Sequence, residues 1–195
     1  MQVKKRDGTL EPLDIDKLHK VVMYACEGIT GVSASQVEIN SKIQFFESMP
    51  TQDIQETLIK SAADLISEEN PNYQYVAGRL INYHLRKMVY NTFTPPCLCD
   101  VIDDNINAGM YDKEFTELYT KDEINQLNIY IKHDRDEVLT YAAMEQFRGK
   151  YLVQNRATGE IYETPQVAYM MIAASLFSKY PTETRLQTVK DYYDA

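Results

Sequence analysis

Two successive prolines, Pro95-Pro96, constrain this chain more than any other feature, because neither offers a backbone N–H and each fixes φ, so no helix runs through them. With Asn91-Thr92-Phe93-Thr94 ahead of them they mark a boundary between 1–91 and 92–195. In the first part, Asp7-Gly8 between two short extended runs predicts a β-hairpin. Ile15, Leu18, Val21, Val22, Ala25 and Cys26 then share one face of a helix ending near Gly28. Ser33 and Gln36 form a capping-box pattern that opens a second helix through Phe45-Phe46. A third helix is expected over about 52–67, with Ile54, Leu58, Ala62, Leu65 and Ile66 inward, and Asn70-Pro71 announces a fourth that reaches about Tyr90. The second part reads as helices near 96–109, 112–119, 122–131 behind a Thr120-to-Glu123 capping box, 137–147, 165–178 and 182–193. Residues 151–156 and 160–163, joined through Ala157-Thr158-Gly159, read as a hairpin. The fold class is mainly α (α+β): a small β-hairpin with four helices, then an α-helical domain with one β-hairpin.

Composition narrows the possible tasks. A hydrophobic fraction of 44% over 195 residues supports real cores, and only seven Gly and seven Pro agree with a helical chain. A net charge of −9 disfavours nucleic acid or an anionic membrane as a partner. The N-terminus lacks the apolar core of a secretory signal, and the longest apolar run, 167–177, is interrupted and too short to span a bilayer; the expectation is a soluble, cytoplasmic protein. Cys97-Leu98-Cys99 has one intervening residue where zinc knuckles want two or more, and His19, His84 and His133 are scattered. We therefore expect no metal site, and thiols kept reduced. No G-x-x-x-x-G-K-[ST] loop and no carboxylate-rich metal motif supports ATP hydrolysis.

The charged head of the chain points elsewhere. Lys5, Arg6 and Lys17 lie near a predicted helix N-terminus, where N–H groups and the helix dipole favour a polyphosphate. Read from the residues alone, Lys5 and Lys17 also suit solvated charges, Thr51 suits an N-cap, and Arg86-Lys87 suits dipole compensation at a helix end.

Val3-Lys4-Lys5-Arg6-Asp7-Gly8 with Glu11-Pro12-Leu13-Asp14-Ile15-Asp16-Lys17 resembles the ATP-cone, the small nucleotide-sensing domain at the head of many ribonucleotide reductase large subunits. Asp53-Ile54-Gln55-Glu56-Thr57-Leu58-Ile59-Lys60, Asn72-Tyr73-Gln74-Tyr75-Val76-Ala77 and His84-Leu85-Arg86-Lys87 continue the likeness in order. Tyr151-Leu152-Val153-Gln154-Asn155-Arg156, Thr158-Gly159-Glu160-Ile161-Tyr162, Arg185-Leu186-Gln187 and Tyr192-Tyr193-Asp194-Ala195 carry it to the end, so the whole chain resembles the N-terminal portion of a class I aerobic large subunit.

The resemblance implies an effector site for ATP or dATP, with Mg2+ accompanying the triphosphate, on Lys5, Arg6, Glu11, Pro12, Leu13, Asp14, Ile15, Asp16, Lys17, Thr51 and Lys87. In that frame the lysines supply charge to the phosphates and Thr51 a hydrogen bond, while Glu11 and Asp14 offer acceptors for an amino-bearing base or a sugar hydroxyl. Leu13, Leu18, Phe45, Ile54, Gln55 and Tyr83 are candidate base or sugar contacts. Inhibitable cones usually carry a histidine four residues after the phosphate-contacting threonine, and here Gln55 stands there, which leaves the response to dATP open. In the family the helical unit packs beside a ten-stranded barrel that carries the redox and radical cysteines. None of Cys26, Cys97 and Cys99 corresponds to them, so the expectation is no catalytic residue, no redox cofactor and no turnover by this chain alone. The implied partners are the remaining catalytic part of the large subunit and the radical-generating small subunit, with a homo-oligomer as a further assembly. An apolar face from Val167, Tyr169, Met170, Ile172 and Leu176 is expected where the barrel would cover it. Tyr151, Asn155 and Arg156 belong in the family to a motif near the barrel, whereas the residues alone read as hairpin packing. The competing function is a stand-alone cone that senses nucleotide without a reductase role, such as a transcriptional repressor; the absence of a zinc ribbon and the acidic charge argue against it.

Overall fold

The protein is described by a computed structural model covering residues 1–195 except Arg6 and Ile43. Its described residues fall into two compact units, Met1–His84 with Glu137–Gln146, and Leu85–Asp136 with Phe147–Ala195.

In the first unit, β1 (Gln2–Lys4) and β2 (Leu10–Pro12) form the expected hairpin, pairing Val3 with Glu11 and Lys4 with Leu10. Gly8 takes a left-handed φ of 86°, and Asp7 ties the turn by accepting from the Thr9 backbone and hydroxyl. A third strand, β3 (Met49–Pro50), is not signalled by any local pattern. It lies parallel to β1, with Val3 against Met49 and Lys4 against Pro50, giving the sheet order β2-β1-β3. Ser48 turns the chain onto β1 with a φ of 61°, its N–H donating to the Gln2 carbonyl at 3.0 Å.

Helices α1 (Ile15–Cys26), α2 (Ala34–Lys42), α3 (Thr51–Ala63) and the part of α4 (Tyr73–Tyr90) up to His84 pack with this sheet. The α1 stripe of Leu18, Val21, Val22 and Ala25 is buried as its spacing predicts, with Leu58, Ile59, Val76 and Leu80 in the same core. The ends of these helices differ from expectation. The Ser33 hydroxyl accepts from the Gln36 N–H, but the Gln36 side chain does not complete a capping box, because it accepts a 2.5 Å bond from the Tyr73 hydroxyl. Asn70-Pro71 does not begin α4: the Pro71 carbonyl closes a turn with Gln74 N–H, Asn72 is held by the Thr30 carbonyl, and the helix starts at Tyr73.

The second unit holds α5 (Leu98–Asn107), α6 (Glu114–Leu118), α7 (Lys121–Tyr130), α9 (Pro165–Leu176) and α10 (Thr182–Asp194) around Val101, Ile102, Phe115, Leu127, Met170 and Val189. The Thr120–Glu123 capping box of α7 is fully formed. The expected helix over 137–147 is broken into three pieces. A 3-10 turn spans His133–Val138, Thr140 caps a short α8 (Tyr141–Gln146) by accepting from Ala143 N–H, and a π turn covers Phe147–Tyr151. The hairpin beyond it is reduced to one antiparallel bridge, Gln154 with Ile161, because Val153 N–H goes instead to the Glu163 carboxylate at 2.9 Å.

Charge is buried in this second unit. Arg86 and Asp136, 5% and 0% exposed, pair at 3.6 Å, and Arg86 also donates to the His133 carbonyl at 2.6 Å. Gln166 donates to Asp136 and accepts from the Tyr193 hydroxyl, extending the chain of bonds to α10. Arg185 pairs with Glu123 at 2.5 Å and lies over the Tyr119 ring. Buried Glu163 is bonded by the Tyr111 hydroxyl, and burial pushes its carboxyl up. Of the expected apolar face, Val167 and Met170 are buried in the core, whereas Tyr169, Ile172 and Leu176 stand exposed along α9. The exposed set recurs at three- and four-residue steps and so occupies the outer side of the helix. Among the described residues no helix is long and apolar enough to cross a membrane, and no group of three or more His, Cys, Asp or Glu is disposed to hold a metal ion. Cys26, Cys97 and Cys99 are free thiols.

Candidate functional site

The three-stranded sheet feeds two helices, and the difference between their first turns defines the candidate site. From β2 the chain passes through Leu13, whose N–H donates to the Met1 carbonyl, into α1. Asp14 caps that helix, its carboxylate accepting from Lys17 N–H at 3.0 Å and pairing with the Lys17 ammonium at 3.4 Å. The backbone bond from Lys17 holds the Asp14 carboxyl below the usual carboxylate range. From β3 the chain enters α3 with no such device: Pro50 is the N-cap residue and makes no side-chain cap bond. The first N–H groups of a helix without that cap need another acceptor, and an anion suits them.

Thr51 is the first residue of α3, not its N-cap, and is half-buried. The β1–β3 register sets Lys4 beside Pro50, so the residues that follow, Lys5 and Thr51, leave the same end of the sheet. Lys5 is half-exposed and pairs with Glu11 at 3.1 Å across the hairpin. Both side chains fall on the face that carries buried Val3, since Glu11 is opposite Val3 and Lys5 is two residues on. Glu11, Pro12, Asp14, Ile15, Asp16 and Lys17 are exposed, and Leu13 is half-buried. This array can exchange its present partners for a ligand's, because an exposed ion pair contributes little stability of its own.

The candidate base contacts divide. Leu18 and Ile54 are 6% and 4% exposed and belong to the core, whereas Phe45 and Tyr83 are half-buried. Gln55, one turn into α3, has a buried Oε1 with no hydrogen-bond partner among the described residues. Lys87 lies in the last turn of α4, in the portion assigned to the second unit. Arg6 lies outside the described residues. Sequence reasoning did not find the open first turn of α3 as a feature, although Pro50 just before Thr51 was its signal: proline has no capping oxygen.

Comparison with known proteins gives this geometry its setting. Residues 1–88 match the family described as the ATP cone domain, and residues 137–195 match the ribonucleotide reductase all-alpha domain. The chain is 53% identical over 193 residues to ribonucleoside-diphosphate reductase 1 subunit alpha of Escherichia coli K12, covering 99% of this chain and 25% of that protein. The chain is similar over its whole length to ribonucleotide reductase large subunits. The subunit alpha of Haemophilus influenzae is 52% identical over 195 residues, and that of enterobacteria phage T4 42% identical over 195, each covering 100% of this chain and 26% of the relative. The chain thus spans about a quarter of the length of the reductase subunits it matches and corresponds to their N-terminal region. Within it, Lys5, residues 11–17 and Thr51 all lie inside the stretch that matches the cone.

Proposed function

We propose that this chain is the N-terminal regulatory and structural part of a ribonucleoside-diphosphate reductase large subunit, and that its cone binds ATP or dATP as an effector without hydrolysing them. The observation that carries the reading is the uncapped first turn of α3, with Thr51 at its first position and Lys5 leaving the same end of the sheet, inside a segment that matches the ATP cone domain over residues 1–88. In this reading the α3 N–H groups, the Thr51 hydroxyl and the Lys5 ammonium hold phosphate, with Arg6 and Lys17 as further cations. Pro12, Leu13, Ile15, Phe45 and Tyr83 border the base and sugar, and Glu11, Asp14, Asp16 and Gln55 supply polar contacts. Leu18 and Ile54 support the site from the core. Exposed Asp14 and Asp16 would hold a Mg2+ accompanying the triphosphate, a mode that needs only one or two protein carboxylates. When bound it screens phosphate charge.

The reduction of ribonucleotides belongs, in this proposal, to the remaining catalytic part of the subunit acting with a radical-generating small subunit in the cytoplasm. The chain acts on it by coupling nucleotide occupancy to assembly. Titration calorimetry of the chain with ATP and dATP tests the reading: both bind, and the chain alone shows no reductase turnover. Absence of binding at millimolar nucleotide, or turnover without a barrel-containing chain, overturns it.

A further inference from the structure

The segment Glu137–Gln146 matches the all-alpha domain by sequence yet packs as part of the first unit. Three contacts fasten it there. The Tyr24 hydroxyl, near the end of α1, donates to the Glu137 carboxylate at 2.9 Å. Arg79 on α4 donates through Nη1 to the Glu27 carbonyl, just past α1, at 2.6 Å, and through Nε to the Glu137 carbonyl at 3.1 Å. One guanidinium therefore holds the end of α1 and the segment together. Beside it, a Cβ added to Gly78 would lie 2.1 Å from the Leu139 carbonyl oxygen, so the segment's main chain sits directly on the α4 backbone.

We propose that Glu137–Gln146 is the output contact of the effector site, with α1 as the rigid connection. This rests on the nucleotide reading above. Residues 11–17 stand at the N-terminal end of α1, while Tyr24 and Glu27 stand at its other end against the segment. The helix between them is pinned by one buried stripe, Leu18, Val21, Val22 and Ala25, so it moves as a body and not residue by residue. A nucleotide that draws the first turn of α1 toward its phosphates or base changes the fit at Tyr24–Glu137 and Arg79. The segment continues without a break into Phe147–Tyr151 of the second unit, so a change in its hold is passed along the chain. The size of the response is set by the difference in nucleotide affinity between the two arrangements of α1.

Hydrogen exchange on the 195-residue chain, with and without saturating ATP, tests this. The expected result is that ATP changes exchange of the 137–146 amides by about tenfold, the scale of one charge-assisted hydrogen bond. In Tyr24→Phe, calorimetric affinity for ATP and protection of residues 10–17 and 51–55 persist, while the response of 137–146 falls to that of the unit as a whole. Glu137→Gln, which keeps an acceptor and drops the charge, gives an intermediate response and serves as a second uncoupling variant. An unchanged segment in the native chain with ATP bound overturns the inference and leaves nucleotide binding standing. So does a segment response that survives undiminished in both variants. Failure of ATP to bind overturns both readings.

Discussion

The candidate site of the first unit and the interior of the second treat charge in opposite ways. In the first, the ion pairs of the candidate site lie at the surface: Lys5 with Glu11, and Asp14 with Lys17. In the second, Arg86–Asp136 and Arg185–Glu123 are taken out of water and surrounded by further hydrogen bonds. An exposed pair costs little to separate, so its members are free to meet a ligand; a buried pair is costly to break and holds helices in register. The candidate site keeps its charges at the surface, whereas the second unit also holds two pairs locked in its interior.

The sharpest way to break that contrast is to remove one member of a buried pair. Asp136→Ala leaves the Arg86 guanidinium without its carboxylate and is expected to destabilise the second unit by about 3–5 kcal/mol. Urea denaturation followed through the tyrosines measures this; a loss under about 1 kcal/mol would place Asp136 with the surface charges.

On the other side, Lys5→Ala and Thr51→Ala are expected to weaken ATP binding by roughly 1.5–3 kcal/mol, about ten- to hundredfold. Their effect on folding stability should stay below about 1 kcal/mol, because Lys5 is in an exposed pair and Thr51 is not the N-cap of α3. Calorimetry beside thermal melting separates the two quantities. Unfolding without loss of affinity would assign Thr51 to the fold.

A third contrast is in pH. Burial, and then the Arg86 charge, hold the His133 imidazole down to about 4, below its ordinary 6.5. Between these values the unfolded chain binds the proton that the folded chain refuses, so stability present above pH 6.5 is lost as pH falls through about 4. Discounted for partial solvent exposure, the loss is on the order of 2 kcal/mol. His133→Gln should flatten the stability curve over that window in stopped-pH denaturation. An unchanged curve would mean that other groups carry the acid response.

The smallest expected effect concerns effector discrimination. With Gln55 in place, ATP and dATP should bind within about 1.4 kcal/mol of each other. Gln55→His should widen that gap and, in the completed enzyme, restore dATP-dependent oligomerisation seen by sedimentation. Strong dATP-dependent assembly with Gln55 would assign the discrimination to other residues.

What could be read in the sequence was whatever is encoded within a few residues. The Thr120–Glu123 box and the Asp7-Gly8 turn are complete in four or five residues, and both formed as expected. Strand β3 was not legible, because two residues make no periodic pattern and its partner β1 lies more than forty positions away. The same distance hid the neighbourhood of Lys5 and Thr51, which were named through family likeness while their shared end of the sheet comes from that parallel pairing. The helix expected over 137–147 failed for a tertiary reason: Arg79 and the bare backbone at Gly78 hold Glu137 and Leu139 in a conformation that a continuous helix does not supply. Gln36 was misread because its side chain was claimed by Tyr73, a partner on another helix.

The seat of Leu139 on Gly78 also bears on the order in which this protein is made. A chain emerging from the ribosome can form the hairpin and the first helices early, but the α4 backbone at Gly78 stays uncovered until residues 137–146 have been synthesised. The first unit is therefore not closed by its own N-terminal stretch, Met1–His84. Every residue of α5, α6 and α7 is made before it can close, and nascent chains stalled ahead of residue 137 carry an incomplete first unit.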